Sequence, residues 1–161
     1  MCSKLENKID SLNNDAEWLP KAFQQAQVHM KLLLSLGPCK IKFSPLDEKI
    51  YESFRKAFPD FDISNVDEDL QDELISGDNK LQWINWMDEL KADLKDFDRK
   101  SLLRKRPDGD YTSMNTTFCH RAQFLAIEIA RNKEGLNQKI ADAYKQATSG
   151  VRASGGCCSR C

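Results

Sequence analysis

The chain has 161 residues, with 24 basic against 25 acidic side chains for a formal net charge of −1, 40% hydrophobic residues and 30% charged ones. That length fits a single domain with one core, and the balance excludes both a membrane-embedded protein and a disordered chain. No uncharged apolar run reaches the roughly 18 residues that cross a bilayer, and MCSKLENKID lacks a secretory stretch, so a cytoplasmic location, extending to the nucleus, is expected.

Leu5, Ile9 and Leu12 recur at helical spacing and predict a short N-terminal helix or arm, interrupted at Asn13-Asn14-Asp15. Phe23, Ala26, Met30, Leu33 and Leu34 then share one face of a longer helix that Gly37-Pro38 ends. Ser44 and Pro45 read as N-cap and first residue of the next helix, with Asp47 and Glu48 at the positive end of its dipole. Its buried stripe is Leu46, Ile50, Phe54 and Phe58. A short acidic helix is expected over Asp67 to Ile75, and a stronger one whose stripe is Trp83, Met87, Leu90, Leu94 and Phe97. Leu102 and Leu103, the turn Pro107-Asp108-Gly109-Asp110 and the segment Tyr111 to Ser113 suggest a small hairpin. Thr116 or Thr117 is placed to cap a long last helix that runs from Phe118 to Ala147 and is open to a kink or break at Gly135. The predicted architecture is all-α: a compact orthogonal bundle of about five to six helices, with a β-hairpin near 101–114 as its one departure. The division is an arm at 1–15, a helical domain at 16–147 and a flexible Gly/Ser/Cys tail at 148–161.

The near-zero charge conceals a segregation. Residues 60–98 carry 13 acids against 3 lysines, whereas 99–106 hold Arg99, Lys100, Arg104, Lys105 and Arg106 with no acid. Such blocks are ordinarily solvated faces with i, i+4 pairs such as Asp96 with Lys100, and the sharper reading is a charge-complementary docking surface. Arg121, Glu128 and Arg131, at offsets 0, 7 and 10, are expected along one flank of the last helix. Cys2, Cys39 and Cys119 read as ordinary thiols, and His29 and His120 as partly exposed polar residues. Cys157, Cys158 and Cys161 form a terminal CCSRC cluster that could accept lipid, although Ser159 and Arg160 are not the aliphatic residues of a prenylation box. No phosphate loop, nucleophile elbow, HExxH or paired CxxC occurs, so no catalytic set, metal or cofactor is expected, nor direct nucleic-acid readout.

IYESFRKAFPDFDI at 50–63 and GDYTSMNTTFCHRAQFLAIEIARNKEGLN at 109–137 resemble the eukaryotic polysaccharide biosynthesis domain-containing protein family, over about Glu17 to Asn137. The resemblance implies a mainly helical domain. It also implies a dedicated chaperone that assists cotranslational folding of the GTP-binding elongation factor 1-alpha near the ribosome. Animal relatives end in long acidic tails, where this chain has a short cysteine-rich segment. The partner-binding candidates are Tyr111, Arg121, Glu128, Arg131 and Asn132 in the signature and Arg104, Lys105 and Arg106 in the basic cluster. Arg121→Glu or Arg131→Glu is expected to weaken client binding with little change in thermal midpoint. Competing readings are a sugar-related transferase, which would want a parallel sheet with a glycine-rich cofactor turn, and an adaptor held at a membrane through lipidated tail cysteines.

Overall fold

The computed structural model describes the backbone of residues 3–66 and 79–149 and the side chains of 17–66 and 79–149. The expected acidic helix at 67–75 and the tail cysteines Cys157, Cys158 and Cys161 lie outside the described residues. Helix α1 spans Ser3–Leu36 and is followed by a 3-10 turn at Pro38–Lys40. Helices α2 (Asp47–Ala57) and α3 (Lys80–Leu90) precede strands β1 (Lys100–Arg104) and β2 (Thr116–His120), and α4 (Arg121–Lys133) and α5 (Gln138–Thr148) complete the order. The fold is mostly helical with one small two-stranded antiparallel sheet, in line with the expected helical bundle and its single hairpin.

α1 is continuous through Asn13-Asn14-Asp15, so the predicted break is absent, and it also carries Pro20 in its interior. Proline removes one intrahelical hydrogen bond, and the loss is tolerated where Ala22, Ala26, Met30 and Leu33 bury one face beyond it. The helix stops where predicted. Gly37 adopts φ 84° and its N–H donates to the Leu33 carbonyl at 3.2 Å, the left-handed ending that favours glycine.

α2 starts at Asp47, two residues later than the predicted Pro45, with Leu46 in place of Ser44 at the cap. The Asp47 carboxylate turns back instead, accepting 2.8 Å hydrogen bonds from the backbone N–H groups of Phe43 and Ser44. Phe54 of this helix and Phe58 at its C-cap meet Trp83 and Trp86 of α3, with the Phe58 and Trp83 rings stacked at 4.1 Å between centroids, and Ile50 joins the same core. These aromatic stripes are core, each large side chain contributing on the order of 2–3 kcal/mol through burial. Trp86, absent from the predicted stripe, joins them and donates its indole N–H to Ser53 Oγ at 3.1 Å.

Strands β1 and β2 pair in the register Lys100↔His120 to Arg104↔Thr116. The second strand therefore lies at 116–120, and the segment Tyr111 to Ser113 is loop. Asn115 explains the displacement. Its side chain accepts from the Arg106 N–H at 2.9 Å and donates to the carbonyls of Arg106 and Asp110, which closes the 105–115 loop on itself. A Cβ on Gly109 would stand 2.7 Å from the Asn115 amide nitrogen, so the loop needs glycine there. Thr116 and Thr117 are strand residues, and the α4 cap is His120, whose N–H donates to Gln123 Oε1 at 2.9 Å in a capping box. Asp96 and Lys100 are not a helical pair, because Asp96 sits in a loop with φ 55° and Lys100 opens β1.

The long last helix is two helices. Gly135 has φ 79°, and the Leu136 N–H donates to the Arg131 carbonyl at 2.9 Å, the ending in which a left-handed glycine closes the last turn. This break brings Asn137 inside.

Candidate functional site

Beneath the sheet lies a buried polar cluster built from five parts of the chain. Glu128 on α4 is entirely buried and accepts from two guanidiniums, from Arg131 at 2.8 Å on Oε1 and from Arg104 at 3.1 Å on Oε2. Asn137 donates to Glu128 Oε2 at 2.9 Å and accepts from Arg104 at 2.7 Å. Two cations thus face one anion, and main-chain dipoles offset the excess. Arg131 donates to the carbonyls of Ile63, Arg104 and Lys105, and Arg104 to those of Pro107 and Gly109. Burial alone would raise the Glu128 carboxyl, but Arg104 and Arg131 overcome it and hold the group far below the usual carboxylate range.

His29 connects this cluster to the surface. Its Nδ1 shares a 2.8 Å hydrogen bond with the Tyr111 hydroxyl, and its Nε2 lies 3.7 Å from Glu128 Oε2 without a hydrogen bond. Burial lowers its pKa, Glu128 raises it, and the two arginines lower it again, so the imidazole is neutral at pH 7 and the contact with Glu128 is not an ion pair. Burial, and then Glu128, push the Tyr111 hydroxyl up. With both Glu128 oxygens already occupied by donors, the cluster clasps α1, β1, the hairpin loop and the two C-terminal helices. Among the described residues no group of three or more His, Cys, Asp or Glu side chains could hold a metal ion.

Above the cluster, between α1, the 41–43 segment, the start of β1 and α4, runs a groove of about 610 Å³. Val28, Leu32, Phe43 and Leu125 supply apolar wall, His29 belongs to both groove and cluster, and Lys42, Arg99 and Arg121 line the same space. Val28 is 51% exposed and Leu32 39%, and Leu36, one turn further on, continues this apolar face of α1 at 48%. A monomer that needed only to be stable would bury such a face.

The structure separates the eight partner-binding candidates. Arg104, Glu128, Arg131 and Asn132 are interior and Tyr111 is half-buried with its hydroxyl on His29, so none of these five is a contact surface as folded. The flank predicted for Arg121, Glu128 and Arg131 dissolves, because the sheet and the hairpin loop cover its last two members. Arg121 alone stands at the groove. Lys105 is half-buried, and its carbonyl receives Arg131 and the Val66 N–H. Arg106 is exposed and pairs with Asp108 at 3.1 Å. His29 and Asn137, the residues that complete the cluster, were not among the candidates. His29 is buried, against the expectation of a partly exposed residue. Lone occurrences of these types carry no spacing signal. Arg99 already belongs to the acid-free block at 99–106, and Lys42 could have been flagged by the acid-free stretch at 37–46. Cys119 is a buried thiol as expected, whereas Cys39 is disulfide-bonded.

Comparison with known proteins bears on this arrangement. Residues 15–142 match the family model described as PBDC1 protein. Human Protein PBDC1 is 36% identical over 152 residues, covering 91% of this chain and 64% of the human protein. The Saccharomyces cerevisiae Protein PBDC1 homolog is 35% identical over 120 residues, covering 74% of this chain and 82% of the homolog. The chain thus spans less than two thirds of the human protein's length. The solution NMR structure of protein yst0336 from Saccharomyces cerevisiae superposes with a TM-score of 0.71 at 32% identity, covering 81% of this chain and 90% of that one.

Proposed function

The chain belongs to the PBDC1 family, and from that premise we propose that it is a non-enzymatic chaperone that holds the unfinished GTPase domain of elongation factor 1-alpha as it leaves the ribosome in the cytoplasm. The client and the ribosomal setting come from the family resemblance. The observation that carries the client-binding part is the groove with its exposed apolar helix face, which offers an unfinished client both apolar surface and charge. A chaperone of this kind needs higher affinity for the incomplete client than for the native one, because equal affinity would trap the product. The transferase reading has less support, since the described residues form a two-stranded antiparallel sheet where a parallel sheet with a glycine-rich turn would be wanted. The adaptor reading rests on the tail cysteines alone. Among the described residues no helix is long and apolar enough to cross a membrane.

The test is capture by the purified protein of stalled ribosomes displaying the elongation factor 1-alpha GTPase domain, measured beside capture of the native GTP-bound factor. At least about tenfold enrichment of the nascent form is the expected result. Equal capture of both forms, or enrichment of sugar-processing enzymes in its place, would remove the reading.

A further inference from the structure

The cations of the groove have no anion of their own. Lys42, Arg99 and Arg121 line it, and no Asp or Glu does. Among the described residues no hydrogen bond or ion pair engages the Arg121 guanidinium or the Lys42 ammonium, and Arg99 makes one long 3.4 Å bond to Gln25 Oε1. The two arginines are nonetheless held side by side. The Arg121 N–H donates to the Arg99 carbonyl at 2.8 Å, and the next N–H, of Ala122, donates to the Phe97 carbonyl at 2.9 Å. Their backbones are thus fixed at the point where the strand pair meets α4, which lowers the ordering cost of binding between them. Burial, and then the neighbouring Arg99, disfavour the charged form of Arg121, with Asp96 offsetting only part of this. A like-charged pair beside an apolar wall, one member of which is partly desolvated, is a place where an added carboxylate gains more than at an open surface.

We propose that the groove receives an amphipathic segment of a partner protein, its carboxylate seated between Arg99 and Arg121 and its apolar side chains lying against Val28, Leu32 and Phe43. The planar guanidiniums suit a bidentate carboxylate, and Lys42 adds a point charge at the 41–43 wall. A protein segment fits better than a fatty acid. The apolar face of α1 continues past the groove to Leu36, whereas a small-molecule pocket encloses most of its ligand. The inference rests on the client-binding reading and supplies the chemistry by which a client segment would be chosen.

The probe is a fluorescein-labelled amphipathic peptide with leucines at i, i+4 and i+7 and glutamates on the adjoining positions, compared by anisotropy with matched peptides carrying glutamine or lysine. The glutamate peptide is expected to bind at least about tenfold tighter than the glutamine one, and the lysine peptide not to bind. The double variant Arg99→Ala, Arg121→Ala is expected to lose that preference, and Arg121→Glu to shift it toward lysine, with urea midpoints confirming that both variants fold. Equal affinity for the glutamate and glutamine peptides, a preference that survives the double variant, displacement of the peptide by decanoate at similar affinity, or self-association in place of peptide binding would each overturn the proposal. The same variants separate this inference from the chaperone reading. Glutamate-selective peptide binding without capture of the ribosome-displayed GTPase domain would remove the elongation-factor client and leave the groove chemistry. Client capture insensitive to both arginines would remove the groove and leave the chaperone.

Discussion

Five arginines fall within residues 99–131, and the molecule uses four of them in two opposite ways. Arg104 and Arg131 are entirely buried, share the Glu128 carboxylate and donate to five main-chain carbonyls between them. Arg99 and Arg121 line a groove that contains no carboxylate. The first pair has given up solvent for Glu128 and main-chain carbonyls, with only Arg104 Nε unpartnered, so removing either arginine strips buried carbonyls of a donor and removing Glu128 leaves two buried cations uncompensated. The second pair keeps a share of solvent and has unused hydrogen-bonding capacity, so removing it costs the fold little. The comparison teaches that arginines on the same short stretch of chain divide between holding the fold and reading a partner according to whether an anion is already supplied from within.

Truncation of the interior set should have the largest effect. Arg131→Ala or Glu128→Ala is expected to cost about 3–5 kcal/mol of unfolding free energy, the usual penalty for breaking a buried pair, as measured by urea titration. A cost under about 1 kcal/mol would make the cluster no more than a surface pair. Arg131→Glu is accordingly no test of client binding: it sets two carboxylates together in the interior, and the variant is expected not to fold.

Acid should act next, through two residues of the same cluster. Both Glu128 and His29 have folded-state pKa values below their ordinary ones of 4.5 and 6.5. The unfolded chain therefore takes up protons first as pH falls. The His29 contribution is complete above about pH 6.5 and declines below it, and that of Glu128 declines below about pH 4.5. His29→Gln should flatten the upper window of a stability-against-pH curve and leave the lower one. An unchanged curve between pH 7 and 5 would contradict the neutral, buried imidazole.

A smaller effect belongs to the break that delivers Asn137 to the cluster. Gly135→Ala places a side chain at φ 79° with no atom within 4 Å of the new Cβ, so the cost is conformational alone, about 1 kcal/mol. A loss of several kcal/mol would mean that the turn is under steric pressure from its neighbours. The smallest effect is reserved for the groove. Arg121→Ala should leave the urea midpoint within about 0.5 kcal/mol of the parent, and a large destabilisation would place Arg121 with the interior arginines.

Much of the helical framework was legible because its signals are local. The stripe Ile50, Phe54, Phe58 and the pattern at Trp83, Met87 and Leu90 are periodic over single helices, and Gly37 and Gly135 mark ends through a conformation that glycine favours. The first strand was legible from Leu102 and Leu103 even though β1 buries four of its five residues in a row, including Arg104, and shows no alternation, and only the second strand was misplaced. Asn115, a single polar residue closing its loop by four hydrogen bonds on main-chain groups of residues 105, 106 and 110, pushed β2 onto residues that resembled a helix cap. The site was less legible still. The offsets of Arg121, Glu128 and Arg131 locate them on one helix, but what covers the last two comes from β1 and the hairpin loop. The His29–Tyr111 contact spans 82 positions and the Arg104–Glu128 pair 24, separations at which no residue spacing predicts a partner. The groove is likewise a product of assembly, since Lys42, Arg99 and Arg121 converge only when α1 lies across β1.

The division between the two arginine pairs is tested most directly by capture of the ribosome-displayed elongation factor 1-alpha GTPase domain with the Arg99→Ala, Arg121→Ala protein, at a temperature where its circular dichroism matches the parent. Capture reduced at least about tenfold with the fold intact is the predicted result. Parental capture by the folded variant would contradict it.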